Sequence, residues 1–113
     1  MESHPEIHGI RPILAICLSA QGKHQAASEQ LTSRVKQVAS SDYDVSYWLA
    51  GAYLMQGKQV EAFRWLDTAI SLGNENYKWF LSDKNWLDMH DDPRFKELLA
   101  RIAPSIQHED HPA

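Results

Sequence analysis

Two stretches decide how this chain folds: IRPILAICLSAQGKHQAASEQLTSRV, residues 10–35, and VSYWLAGAYLMQGKQVEAFRWLDTAI, residues 45–70. Shifted by 35 positions, Leu14, Ala15, Gln21, Gly22, Lys23, Ala27 and Leu31 fall on Leu49, Ala50, Gln56, Gly57, Lys58, Ala62 and Leu66, identical at each position. Ile10 falls on Val45, Leu18 on Tyr53 and Val35 on Ile70. Self-similarity with a period in the mid-thirties marks paired-helix repeats, in which each unit buries its apolar side against its neighbour.

Within each copy the apolar spacing is helical. Ile10, Ile13, Leu14, Cys17 and Leu18 follow i, i+3, i+4, i+7, i+8, and this predicts that their side chains form the buried face of a first helix. Val45, Trp48, Leu49, Ala52 and Tyr53 repeat the pattern. After each glycine a second stripe begins: Ala27, Leu31 and Val35, then Ala62, Trp65, Leu66, Ala69 and Ile70. Gly22 and Gly57 stand where the chain must stop one helix and reverse, and Gly73-Asn74 closes the second copy. Each copy therefore reads as helix, tight turn, helix.

The order of residue types resembles the tetratricopeptide repeat. That family sets a large apolar residue, a small one and an aromatic in its first helix, then a turn glycine, then small, large and small in its second. Leu49, Ala50, Tyr53, Gly57, Ala62, Leu66 and Ala69 follow that order. The first copy keeps Leu14, Ala15, Gly22, Ala27 and Leu31 but has Leu18 for the aromatic and Arg34 for the last small residue. Both copies lack the family's early tryptophan, with Arg11 and Ser46 in its place, and its late proline.

Beyond Asn74 the pattern changes. Asn76 to Leu81 reads as a short helix, Asn85 to Asp88 as a turn, and Asp91-Asp92-Pro93 as a helix start with Asp92 capping and Pro93 in the first turn. Phe95, Leu98, Leu99 and Ile102 form the stripe of this last helix, and Pro104 ends it. The run Trp86-Leu87-Asp88 with Asp92 to Leu99 resembles the closing segment of repeat arrays in bacterial signalling proteins. The expected fold is all-α, a short solenoid-type array: repeat 1 over about 9–41, repeat 2 over about 43–74, and a capping unit over about 76–104 that covers the second helix of repeat 2. Residues 1–8 and 105–113 are expected to be flexible polar tails. Every aromatic residue lies between Tyr43 and Phe95, which places the best-packed part in repeat 2 and the closing unit.

Composition narrows the function. The chain has 113 residues, a net charge of −4 and no cluster of Lys or Arg, which argues against nucleic acid as a partner. The single cysteine excludes an internal disulfide and fits a reducing, cytoplasmic setting. Arg11 followed by Ile13 to Leu18 has the order of a secretory signal, and Leu14-Ala15-Ile16-Cys17 has that of a lipoprotein box. The apolar run is short for a signal core, however, and Ile16 is bulky for the position before a processed cysteine. No membrane span is expected.

No catalytic motif stands out. His4, His8, His108 and His111 are assigned to polar tails rather than to a metal. Asp88, His90, Asp91 and Asp92 could serve a metal-dependent hydrolase, but no complementary ligands stand elsewhere, and Asp91 and Asp92 suit capping. Cys17 shares a face with Leu14 and Leu18, which predicts burial and inertness. No cofactor is expected and the chain is not read as an enzyme. The resemblance implies instead a protein-binding groove lined by first-helix residues: Pro12, Ile16, Ser19 and Ala20, then Tyr47, Gly51, Leu54 and Met55. Such a lining suits an apolar or amphipathic segment of another protein, and lacks the Lys, Arg and Asn that grip a carboxylate. A homo-oligomer that fills this groove is the alternative, and coverage of the groove by the closing unit is another.

Overall fold

A computed structural model describes residues 5–102. They form seven α-helices and one 3-10 helix: α1 (Pro5–Ala20), α2 (His24–Glu29), α3 (Ser33–Ala39), α4 (Tyr43–Met55), α5 (Gln59–Ser71), α6 (Tyr77–Ser82), the 3-10 helix (Lys84–Met89) and α7 (Pro93–Ala100). No strand occurs among the described residues. The chain divides into two compact units, one up to Asn74 and one from Glu75 onward. The tail readings for residues 1–4 and 103–113, with His4, Pro104, His108 and His111, fall outside the described residues.

The first unit is built around α4, which packs on α1, α3 and α5. A helix with neighbours on three sides must be apolar on most of its surface, and α4 is: Val45, Tyr47, Leu49, Ala50, Ala52 and Tyr53 are all buried. Asp42 starts it by accepting from the Asp44 and Val45 amides, satisfying donors that the first turn leaves free. Ser46, where the resembled family has tryptophan, is fully buried and donates its hydroxyl to the Ala39 carbonyl at the end of α3. The second-helix stripe of the second copy is buried as expected, with Ala62, Leu66, Ala69 and Ile70 inside, Trp65 half-buried and Phe63 added.

The two turn glycines are equivalent in detail. Gly22 and Gly57 have φ of 81° and 79°. In each turn the amide that follows the glycine reaches back to the helix: Lys23 N–H to Leu18 O at 2.8 Å, and Lys58 N–H to Tyr53 O at 3.0 Å. The glycine amides bond to Ser19 O and Leu54 O, both at 2.9 Å. This pair of bonds needs a left-handed residue at the glycine position. A Cβ at Gly57 would meet no neighbour within 4 Å, so the cost of adding it is conformational. Gly57→Val is expected to destabilise the first unit by about 1 kcal/mol or more in a denaturant titration, since a β-branched residue resists positive φ.

Two expectations for the first copy need correction. Its second helix is not continuous. It breaks at Gln30-Leu31-Thr32 into α2 and α3, with Thr32 Oγ1 accepting the Val35 amide at 3.2 Å. Hydroxyl side chains in Thr32-Ser33 favour such a cap over a helix interior, and Arg11 on α1 reaches across to Gln30 Oε1 at 3.1 Å beside the break.

The second correction concerns α1, which begins at Pro5 and therefore includes His8 and Gly9. Its buried side chains are not the large apolar stripe. Pro12, Ala15 and Ser19 are buried, while Ile10, Ile13, Leu14 and Cys17 are exposed. Small residues decide the face, because helices can approach closely only where side chains are short. A Cβ on Gly9 would lie 3.2 Å from Val45 Cγ2, and Ala15 packs with Ala27 of α2 and Ala52 of α4.

The second unit holds α6, the 3-10 helix and α7. Asn76 caps α6 through the Trp79 amide, Asp83 caps the 3-10 helix through the Asn85 amide, and Asp92 caps α7 through the Arg94 amide at 2.8 Å with Pro93 in the first turn. Phe80, Trp86 and Phe95 are its most deeply buried side chains, with Leu98 and Leu99 beside them.

Candidate functional site

The surface of α1 in the first unit carries several exposed large apolar side chains on one helix. Ile10 is 58% exposed, Ile13 39% and Leu14 47%, with the Cys17 thiol on the same stripe. Positions 10, 13, 14 and 17 lie on one side of a helix, so these side chains form a continuous apolar band. Isolated apolar residues on a surface mean little, but a contiguous band is the usual mark of an interaction site. The opposite side of α1 is held against α4 through Gly9 and Ala15. The helix is thereby fixed with Ile10, Ile13, Leu14 and Cys17 outward.

Of the groove residues expected from the sequence, Tyr47 and Gly51 are buried, Ile16, Leu54 and Met55 are half-buried, and Ala20 is exposed. Pro12 and Ser19, placed in the groove by the same reasoning, are buried on the side of α1 that carries Ala15. Ile16 packs beside the alanine cluster at the α1, α2 and α4 junction, as do Leu18 and Leu31. Cys17, expected to be buried, is exposed instead. The apolar band was missed because α1 is apolar nearly all round, so periodicity cannot choose its buried side. The signal that could have chosen it is the spacing of Gly9, Ala15 and Ser19.

Each unit also holds a cleft. One, of about 240 Å³, is polar and lined by His24, Gln25, Ser28, Gln56 and Lys58, close to the α4–α5 turn. The other, of about 340 Å³ in the second unit, is lined by Tyr77, Leu81, His90, Phe95, Lys96, Leu99 and Ala100. In it the His90 ring stacks on Phe95 with centroids 5.4 Å apart, and Phe95 stacks in turn on Trp86 at 5.7 Å. The His90 Nε2 atom is buried and has no hydrogen-bond partner among the described residues.

Of the carboxylates near His90, Asp92 is used for structure. Asp92 accepts from the Arg94 amide and from its guanidinium at 2.9 Å. Those hydrogen bonds hold its carboxyl below the usual carboxylate range. A lowered carboxylate favours the fold at neutral pH, and the contribution fades as pH falls through the folded-state value. Asp88 and Asp91 are exposed. Among the described residues no three His, Cys, Asp or Glu side chains are grouped as a metal ion requires. Nor is any helix among them long and apolar enough to cross a membrane.

No family model, no curated protein and no solved structure matches the chain.

Proposed function

We propose that this chain is a protein-binding module, a short helical-repeat scaffold of the tetratricopeptide type that engages another protein through the outward face of α1. The observation that carries the reading is the band of Ile10, Ile13, Leu14 and Cys17 on a helix anchored from its other side. Exposing such side chains costs roughly 25 cal/mol per Å² of apolar surface left in water, a penalty that docking removes. The repeat assignment draws support from the identities at a shift of 35 positions, from the matched glycine turns, and from Ala15, Ala50, Ala27 and Ala62, the small residues of both copies, all fully buried. The partner is an apolar or amphipathic segment. Ala20, one turn beyond Cys17 on the same helical side, is exposed and offers it further apolar contact.

Self-association is the second reading. It is favoured by the absence of charge on the band itself, since nothing there opposes a like surface. Mass in solution separates the two: a monomer at all concentrations leaves the band to a foreign partner. The test of the first reading is capture from the source organism, with Leu14→Glu and Ile13→Glu as variants. Leu14 is half exposed, so its replacement leaves the helical circular dichroism intact while a charge enters the band. A bound protein lost with either variant supports the proposal; the same protein held equally by both variants removes it.

A further inference from the structure

The internal repeat says what kind of surface the α1 band expects. Each residue of the band has an equivalent 35 positions later: Ile10 in Val45, Ile13 in Trp48, Leu14 in Leu49 and Cys17 in Ala52. In the second copy these equivalents are covered. Val45, Leu49 and Ala52 are buried and Trp48 is half-buried. The first copy supplies part of that cover, with Gly9 of α1 against Val45, and Ala15 of α1 and Ala27 of α2 beside Ala52, while α5 also packs on α4. Leu49 lies between Val45 and Ala52 on the same helical side. The same leucine is thus fully buried at position 49 and 47% exposed at position 14. The difference lies in the neighbours and not in the residue.

From this we infer that the α1 band is the docking face for a helical hairpin of another protein, one that presents a stripe of small residues as α1 and α2 do to α4. The inference rests on the α1 band being a binding surface and adds the shape and chemistry of its partner. A second copy of this chain is a poor occupant. Its small-residue stripe, Gly9 and Ala15 with Ala27, is already engaged by its own α4, and the equivalents Ala50 and Ala62 in its second copy are fully buried. A lone helix is a poor occupant too, because the precedent for Ala52 takes one residue from each helix of a pair.

The test extends the full chain by one period. A second set of residues 8–42 is inserted directly ahead of His8, so that the original α1 follows an Asp42 as α4 does. The added copy carries Cys17→Ser, leaving the original Cys17 as the only thiol. In the unextended chain iodoacetamide should alkylate Cys17 at the rate of an exposed thiol. In the extended chain the rate should fall by roughly tenfold or more, because reaction then requires the added hairpin to open. Ile10 is one methylene larger than Val45, so a parallel extended chain with Ile10→Val guards against overpacking. An unchanged rate in both extended chains overturns the inference. So does a dimer of the unextended chain whose assembly protects Cys17, since the occupant is then a second copy. If Cys17 stays reactive while Leu14→Glu still abolishes capture, α1 binds a partner of another shape. If Leu14→Glu has no effect either, the binding reading itself falls.

Discussion

Replacing Leu49 with alanine should cost about 3 kcal/mol of stability, while the same change at Leu14 should cost about 1 kcal/mol or less. The two residues occupy equivalent places in the repeat and differ only in surroundings. Leu49 is fully buried in α4, whose neighbours α1, α3 and α5 surround it, so truncation leaves a cavity that rigid helices cannot collapse. Leu14 already keeps nearly half of its surface in water, and removing it forfeits less burial and opens no enclosed space. Equilibrium urea denaturation followed by far-ultraviolet circular dichroism measures both. Equal costs would mean that position 14 is covered in the free protein, and the α1 band would then not exist in solution.

The second large effect is expected at Phe95, where alanine should cost about 3 kcal/mol or more. The helices of the second unit are too short to persist by themselves: α6 has 6 residues and α7 has 8. They are held by the packing of Phe80, Trp86 and Phe95, and Phe95 is the member stacked on both Trp86 and His90. Offset aromatic pairs add about 0.5–1.5 kcal/mol each beyond burial. The Phe95→Ala protein should show a red-shifted tryptophan emission as Trp86 meets water, with the helical signal of the first unit largely retained. Phe95→Leu, which keeps most of the volume, should lie between the two. An unshifted emission and melting temperature for Phe95→Ala would show that the unit is held together elsewhere.

Much of the fold could be read from the residues, and the failures have physical causes. The glycine turns were legible because Gln-Gly-Lys recurs between two helical stripes, and glycine enters the left-handed region at the least steric cost. The start of α7 was equally legible, since Asp92-Pro93 leaves little freedom. Helix α4 was read well at Val45, Leu49, Ala52 and Tyr53, because a helix surrounded by neighbours only needs to be apolar, whereas Tyr47 and Gly51, expected in the groove, are buried. Helix α1 was misread because it is also apolar on most sides, yet its large stripe is left uncovered. Of the strongest stripe, Ile10, Ile13, Leu14 and Cys17 point outward while Leu18 packs inward, and the weaker stripe of Gly9, Ala15 and Ser19 faces the core. Close approach favours small residues, whereas periodicity counts only large ones. The break between α2 and α3 was hidden for a related reason. Ala27, Leu31 and Val35 keep helical spacing across it, and only the hydroxyls of Thr32 and Ser33 betray the interruption. Cys17 followed α1 into error, and with it the candidate surface moved from the inner groove to the outer band.

A docking role for α1 requires that another polypeptide cover its outward face. The direct measurement is site-specific photocrosslinking in the source cells, with a benzophenone amino acid at position 14 and, as control, at the exposed Arg64 of α5. A covalent adduct to a different protein should form from position 14 and not from position 64. No adduct from position 14, or one containing only a second copy of this chain, would contradict that role.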